Sequence, residues 1–272
     1  MNRNRFRRIV LMSGGGGYTP SAEALAWETR IIANGGSIDP AVLQAIDENF
    51  IIPNVAAGNW AKLDRLNFWL TNSNSIAART SMIGNYLATF VNAVVFDDAG
   101  IKSDGVSAYV RLAYNPNTDG VNYTLDDCSI FYVAENPTYT PANRSIGCLN
   151  LAASQRSEVY TSDGANVRTF TNSGLGVVST DKPTGNVLLY GRREASAINA
   201  ITGVNTNETV AADASSAIPN FECYELTSNY GGSPLGDYDT DYHHLSGHGS
   251  STIDFTVLHA TVNATEIALA AL

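Results

Sequence analysis

The sequence has little charge for its length. Only 15% of its 272 residues are Asp, Glu, Lys or Arg, against about 25% in typical globular proteins. Asn, Thr, Ser and Gly must therefore cover much of the surface, a composition common in extracellular and viral β-proteins. Four of the sixteen basic residues lie within the first eight positions, which leaves twelve against twenty-six acidic residues and a net charge near −14 for the remainder. Such an acidic remainder argues against a nucleic-acid-binding surface, because phosphate contacts need clustered Lys and Arg.

Cysteine is scarce, and long apolar runs are absent. Cys128, Cys148 and Cys223 form no CxxC pair and no zinc spacing, and their odd number fits no complete disulfide framework. We therefore expect buried free thiols and assembly in a reducing cytoplasm. No stretch approaches the ~20 apolar residues of a membrane span. The apolar run at 9–12 is also far shorter than the ~7–15 residues of a signal-peptide core.

Catalytic signatures are missing as well. There is no G-x-S-x-G motif, and the glycines at 14–17 lack the Gly-Lys-Ser/Thr of a phosphate loop. Three carboxyl pairs lie close in sequence, namely Asp97 with Asp98, Asp126 with Asp127, and Glu222 with Glu225. Their spacing puts the two carboxyls of each pair on opposite faces of a strand, whereas a retaining glycosidase holds two carboxyls ~5–5.5 Å apart on one side. We expect no enzymatic activity and no cofactor.

What the chain does contain is a basic N-terminal arm. Its arginines are Arg3, Arg5, Arg7 and Arg8, and a glycine hinge follows at Gly14, Gly15, Gly16 and Gly17. Four consecutive glycines impose no backbone direction, and the arm has too little apolar surface to fold by itself. We expect residues 1–17 to be a flexible assembly arm that docks onto a larger particle. Its charge suits either an acidic protein surface or nucleic acid.

Residues 18–84 have the pattern of a small helical segment. Helices are predicted over 21–33, where Ser21 is the N-cap, and over 40–51, which begins at Asp39-Pro40. A third helix is predicted over 57–71 because it has a broad apolar face, and we expect this helix to be the contact surface between copies of the chain. The three tryptophans fall in this segment and are expected to pack rather than to bind sugars; they are Trp27, Trp60 and Trp69.

From residue 85 onward, short β-rich runs alternate with Asn-, Asp- and Gly-rich turns. The predicted strands cover 93–96, 106–114, 128–133, 145–151, 158–161, 187–192, 221–226 and 253–260. A short helix, EIALAAL, follows at 266–272. So many strands with almost no intervening helix indicate a mainly β fold, a β-sandwich over 85–272 preceded by the helical segment.

The order of several motifs resembles one family. The motifs are GNWAKLDRLNFWL, DGVSAYVRLAYNPNTDGVNYTLDDCSIFYV, SIGCLNL, NVLLYGRREASA and TIDFTVLHATVNATEIALAAL. In this order they resemble virion structural proteins of tailed phages, especially phages of Bacteroidetes hosts. The resemblance covers 20–272, leaves out the arm, and implies a concanavalin A-like (laminin-G-like) jelly roll. It also implies a tail, fibre or minor structural role, and some members of the family use the jelly roll to bind glycans.

One segment concentrates groups suited to ligand contact. We expect a solvated loop that holds the candidate ligand-binding residues Asp237, Tyr238, Asp239, Asp241, Tyr242, His243, His244 and His248. Carboxylates can accept hydrogen bonds from sugar hydroxyls, and tyrosine rings can cover the apolar face of a sugar. The alternating acids also suit a calcium ion, although the EF-hand spacing is absent and no metal site is predicted. A loop that only contacts a neighbouring subunit is the alternative.

The sequence therefore predicts a bacteriophage virion structural protein that docks by its arm and displays a β-sandwich. Its expected partners are other virion proteins and copies of itself, with a trimer favoured, because multiple attachments strengthen weak anchoring. The expected location is the virion, assembled in the host cytoplasm. The alternatives are a carbohydrate-binding module for host-surface glycans and a jelly-roll glycosidase.

Overall fold

The computed structural model describes residues 17–72, 74–139, 143–150, 155–162, 166–194 and 199–272. Arg3, Arg5, Arg7 and Arg8 of the predicted arm, together with Gly14, Gly15 and Gly16, lie outside these residues. Gly17 is exposed at the start of the first described range.

The helices lie mainly near the two ends of the chain. They are α1 (Ala22–Ala33), α2 (Pro40–Ile46), α3 (Ile52–Ala56), α4 (Ser75–Arg79), α5 (Pro116–Asp119) and α6 (Phe255–Leu269). The side chain of Ser21 caps α1, and Asp39 caps α2 ahead of a proline at its first position. A π-helical stretch, Asp47–Ile51, joins α2 to α3. The helices predicted over 21–33 and 40–51 are thus confirmed.

The strands form two sheets. The first consists of β1 (Leu63–Phe68), β3 (Val95–Asp97), β4 (Gly100–Lys102), β6 (Cys128–Glu135), β11 (Asn186–Arg193), β12 (Asn199–Val204), β13 (Asn207–Ala212) and β17 (Tyr242–Gly249). Its order is β13-β12-β11-β6-β17-β4-β3, and β1 pairs with β17 beside β4.

The second sheet consists of β2 (Thr89–Val91), β5 (Tyr109–Arg111), β7 (Asn143–Leu149), β8 (Arg156–Ser162), β9 (Asn166–Ser173), β10 (Val177–Ser179), β14 (Tyr224–Glu225), β15 (Asn229–Tyr230) and β16 (Ser233–Pro234). Its order is β10-β9-β8-β7-β14-β5-β2; β15 pairs with β7, and β16 pairs with β15. Apart from the parallel contact of β15 with β7 and a parallel bridge between Arg144 and Tyr238, the described pairings of this sheet are antiparallel. The predicted mainly β sandwich is confirmed.

The molecule has three layers, namely the helices, the first sheet and the second sheet, with an apolar core between each adjacent pair. One core lies between the first sheet and the helices and includes Trp27, Leu258 and Phe131. The other lies between the two sheets and includes Val110 and Ile130. The helices therefore cover the outer face of the first sheet, and the second sheet forms the opposite side of the molecule. In the described part of the chain, no helix is both long enough and apolar enough to cross a bilayer.

The helix predicted over 57–71 is wrong. Residues 63–68 form β1, which lies buried along β17 with Phe68 opposite Leu245. Leu66 and Phe68 face the helices, while Arg65 lies at the interior between the sheets. A strand that is buried on both faces shows little alternation of apolar and polar residues, and in a short segment it resembles a broad apolar helix face.

The strand predicted over 253–260 is also wrong, because it belongs to α6. Asp254 caps this helix by accepting a hydrogen bond from the backbone N–H of Val257. Phe255, Leu258 and Val262 then fall on one helical face and enter the core against the first sheet. The β-branched residues in TVLHATV favour a strand locally, but this burial overrides that preference.

Candidate functional site

The segment predicted as a solvated loop is mostly a central strand. Tyr242–Gly249 form β17, and His243, His244 and His248 are fully buried. Asp239 and Asp241, which precede the strand, are also buried. The loop prediction is therefore wrong for these residues, because the polar side chains of β17 find their partners inside the sandwich. Of the eight candidates, Asp237, Tyr238 and Tyr242 retain exposed surface.

Glu225 is the centre of the buried polar network between the sheets. It lies on β14 of the second sheet, and its carboxylate accepts hydrogen bonds from Trp69 Nε1 at 2.9 Å and Ser246 Oγ at 2.6 Å. The same carboxylate lies 3.0 Å from His243 Nδ1 on the first sheet. From the sequence, Glu225 is considered only as the neighbour of Glu222, and its role in this network is missed, because Trp69 is separated from it by 156 positions.

Arg65 is a buried cation beside Glu225. Its guanidinium donates to Ser246 Oγ at 2.8 Å and Asn67 Oδ1 at 3.0 Å, and it lies 3.7 Å from the Glu225 carboxylate. Burial lowers the pKa of Arg65 to about 10, and Glu225 opposes this shift. Arg65 therefore stays charged at neutral pH. Burial, with the nearby Arg65 charge, holds the pKa of His248 well below its usual range.

Asp239 completes the network on the other side of His243. Its carboxylate lies 3.2 Å from His243 Nε2 and also accepts hydrogen bonds from Ser145 Oγ and, at 3.0 Å, from the backbone N–H of Asp241. Burial alone would lower the pKa of His243, but the bonds to Asp239 and Glu225 outweigh it and raise the pKa to about 9. Two cations thus face two carboxylates inside the sandwich. This buried network joins the sheets, and its closed surroundings leave no open face for a ligand.

Asp241 and Tyr242 bond to neighbouring segments. Asp241 accepts hydrogen bonds from the backbone N–H of Thr138 at 2.8 Å and from its hydroxyl at 2.7 Å. Burial, followed by the nearby Asp239 charge, raises the pKa of Asp241 to about 6. The hydroxyl of Tyr242 donates to Asp97 at 2.7 Å, and Lys102 lies over its ring.

Tyr238 lies beside Arg144 of β7 on the outer face of the second sheet, near Tyr109. Val110 and Glu225 point into the interior, so Tyr109 and Tyr224, next to them in sequence, point outward. The rings of Tyr109 and Tyr224 are 4.9 Å apart and tilted by 34°. Burial, followed by nearby Tyr109 and Asp104, raises the pKa of Tyr238. We call Tyr109, Tyr224 and Tyr238 the tyrosine face.

Two ion pairs flank the tyrosine face. Arg111, half exposed, donates to the Glu222 carboxylate at 2.6 and 3.0 Å. On the other side, Arg144 lies 3.1 Å from Asp237, whose side chain is 39% exposed. Glu222 and Glu225 therefore lie on opposite faces of their segment, as their spacing predicts. These partly exposed pairs offer carboxylate acceptors and guanidinium donors next to aromatic rings.

The outer face continues beyond Arg144 as a group of arginines on aromatic rings. Tyr160 and Phe170 stack with their centroids 6.0 Å apart. The guanidinium of Arg144 lies 5.0 Å from the Tyr160 centroid, and those of Arg156 and Arg168 lie 4.7 and 5.2 Å from the Phe170 centroid. Four strand spacings separate β5 from β9, so the band from the tyrosine face to Phe170 spans roughly 19 Å.

A separate cavity of about 520 Å³ lies between the C-terminal end of α6 and the β3–β4 turn. Asp98, Glu135 and Glu266 contribute to its lining. His244 Nε2 lies 4.0 Å from the Glu135 carboxylate, but burial lowers the pKa of His244 to about 4, so the imidazole is neutral at pH 7. Among the residues that the structure describes, no group of three or more His, Cys, Asp or Glu side chains is arranged to hold a metal ion.

No known protein family matches the sequence, and no curated protein is significantly similar to it. Solved structures nevertheless share its fold. Domain 4 of AbnA, a GH43 extracellular arabinanase from Geobacillus stearothermophilus, solved in complex with arabinotriose, superimposes with a TM-score of 0.51 at 14% identity, over 74% of this chain and 98% of that domain. A mutant Trypanosoma rangeli sialidase with trans-sialidase activity gives a TM-score of 0.53 at 9% identity, over 90% of this chain and 38% of the sialidase chain. At these identities the likeness establishes the sandwich fold alone.

Proposed function

We propose that this protein is a carbohydrate-binding β-sandwich and that the tyrosine face is its binding surface. The observation that carries the proposal is the placement of Tyr109 against Tyr224 and near Tyr238 on the sheet face opposite the helical layer, with Tyr109 and Tyr238 partly exposed and Tyr224 only 5% exposed. Aromatic side chains provide a large rigid apolar surface with a polar hydroxyl at the edge. Such a surface matches a sugar ring, which has an apolar C–H face and a rim of hydroxyls.

The flanking ion pairs supply the polar contacts. The guanidinium of Arg111 has five N–H donors, and the Glu222 carboxylate has several lone-pair positions, so their mutual bonds leave capacity for sugar hydroxyls. Arg144 and Asp237 play the same part on the other side. A glycan across this band would gain hydrogen bonds on both sides of the stacked rings. The arabinotriose complex of the AbnA domain, which shares the fold, supports a carbohydrate as the ligand class.

The proposal is tested with the full chain on a glycan array, followed by calorimetric titration of each hit. Tyr109→Ala and Tyr238→Ala should each weaken binding at least tenfold, about 1.4 kcal/mol, as expected for aromatic anchors. Tyr242→Ala is the matched control, since Tyr242 is partly exposed on the other sheet. Equal losses in all three variants, or no glycan hit at all, would refute the assignment. Release of sugars from a bound polysaccharide would instead favour the glycosidase alternative.

We also propose the virion role that the family resemblance implies, with residues 1–17 as the assembly arm. Its support is the cluster of four arginines on a chain whose remainder is strongly acidic. Deletion of residues 1–17 should leave the melting temperature unchanged and abolish incorporation into phage particles. Replacing the four arginines by Gln is the matched test of charge. Normal incorporation of both variants would contradict this role without affecting the carbohydrate proposal.

A further inference from the structure

Two of the three cysteines lie directly opposite each other in the second sheet. Tyr224 pairs with Gly147 and Glu225 with Ile146, so the same antiparallel register places Cys223 opposite Cys148. Their Sγ atoms are 2.9 Å apart, closer than two sulfur atoms approach in van der Waals contact. Both side chains are fully buried in the core between the sheets.

The backbone around this pair has the geometry that a disulfide needs. The N–H of Cys223 donates to the carbonyl of Tyr114, and its carbonyl accepts from the N–H of Leu112. Both bonds point away from β7, so Cys223 and Cys148 form a non-hydrogen-bonded pair. Residues in such pairs have their Cα atoms ~4.5 Å apart, which lies within the ~4.4–6.8 Å range of disulfides.

We propose that Cys148 and Cys223 form an intramolecular disulfide when the chain folds under oxidising conditions. The oxidant is a disulfide reagent. The thiolate of one cysteine attacks the S–S bond of the reagent, which forms a mixed disulfide and releases the first thiol of the reagent. The thiolate of the second cysteine then attacks the mixed disulfide and releases the second thiol of the reagent. Each cysteine loses one proton, and the reagent accepts the two electrons. Because both sulfurs are buried in the finished fold, the exchange takes place before the sandwich closes.

Cys128 provides an internal control. It is also fully buried, but its Sγ accepts a hydrogen bond from Asn172 Nδ2 at 3.3 Å in another part of the sheet interface. In the structure all three cysteines are buried free thiols, as the sequence predicts. Under oxidising conditions the proposal leaves one free thiol and one bond. That bond would close a loop of 75 residues and hold β7 beside β14, the strand that carries Glu225.

The test is refolding of the full chain in oxidised and reduced glutathione, followed by alkylation in denaturant and intact mass measurement. We expect one alkylated thiol per chain, a mass lower by two hydrogen atoms, and a Cys148–Cys223 linked peptide that reductant removes. Three alkylated thiols, or a link to Cys128, would overturn the proposal. This readout does not depend on the stability of any variant.

Thermal unfolding gives a second readout. Reductant should lower the melting temperature of the wild type and of Cys128→Ala by roughly 4–16 °C. The double variant Cys148→Ala/Cys223→Ala should not respond to reductant. If this variant does not fold, Cys223→Ala alone should yield two alkylated thiols after the same refolding, and the absence of any alkylated thiol, which would mean a Cys128–Cys148 bond, would contradict the pairing.

Discussion

Replacement of Glu225 by Gln should destabilise the protein strongly. The carboxylate accepts hydrogen bonds from Trp69 and Ser246 and balances the charges of Arg65 and His243. Gln retains a single acceptor oxygen and brings an NH₂ group toward groups that are themselves donors. Removing one partner from a buried ion pair costs about 3–5 kcal/mol, because the opposite charge stays buried without compensation. This is a large share of the ~5–15 kcal/mol that keeps a domain folded.

Glu222→Gln is the matched control, because it removes a carboxylate three positions away that pairs with half-exposed Arg111. A surface pair of this kind contributes about 0–1 kcal/mol. Thermal unfolding followed by tryptophan fluorescence compares the two variants, and Trp69 reports directly on the network. For Glu225→Gln, the melting temperature should fall by roughly 6–20 °C. If the two variants lose similar stability, the buried network does not hold the sheets together as described.

The network also predicts a pH dependence of stability. The folded state raises the pKa of His243 to about 9. The stabilisation that protonated His243 provides, on the order of 3 kcal/mol, is therefore present below pH ~6.5 and is lost as the pH rises to ~9. Urea midpoints should fall across this pH range, and His243→Gln should flatten the change. Gly203→Ala should lower the melting temperature severely, because the new Cβ would lie within 2.3 Å of three atoms of the Tyr190 ring. Gly17→Ala is the control: its Cβ meets no atom within 4 Å, so the melting temperature should stay unchanged. A trimer remains the prediction for the oligomeric state, to be checked by multi-angle light scattering, and a monomer at high concentration would contradict it.

The trimer prediction needs a different contact surface from the one that the sequence indicates. The segment 57–71 was expected to present an apolar helix to neighbouring copies, but Leu63–Phe68 are buried as β1 within the first sheet. Exposed apolar side chains lie elsewhere, for instance Leu25 and Ile32 on α1. Light scattering of a Leu25→Asp variant would show whether that helix takes part.

The fold class could be predicted from the sequence because the sandwich strands carry local signals. Apolar runs bounded by Asn- and Gly-rich turns correctly predict β6, β7 and β11. Capping residues likewise predict the starts of α1 and α2. Each of these signals involves residues that are neighbours in the chain.

The buried network could not be predicted in this way. In β17, Ser246 and His248 face the interior, and a bulge between His243 and Leu245 shifts the alternation. By composition this segment is as polar as a loop. No residue close to it in sequence indicates that Arg65 and Glu225 will form hydrogen bonds and ion pairs with its side chains. The tyrosine face was found only in part for the same reason. Tyr109 is far in sequence from both Tyr224 and Tyr238, and only the order of strands in the second sheet brings Tyr109 next to Tyr224.

The two ends of the described chain lie on one side of the molecule. Near its start, α1 packs into the core that covers the outer face of the first sheet, and α6, near its end, packs into the same core. The tyrosine face lies beyond both sheets, on the opposite side. Since packed sheets are ~10 Å apart and a helix layer adds about as much, at least ~20 Å of protein separates the two sides. A tether at either end would thus leave the tyrosine face directed outward, away from whatever surface anchors the protein.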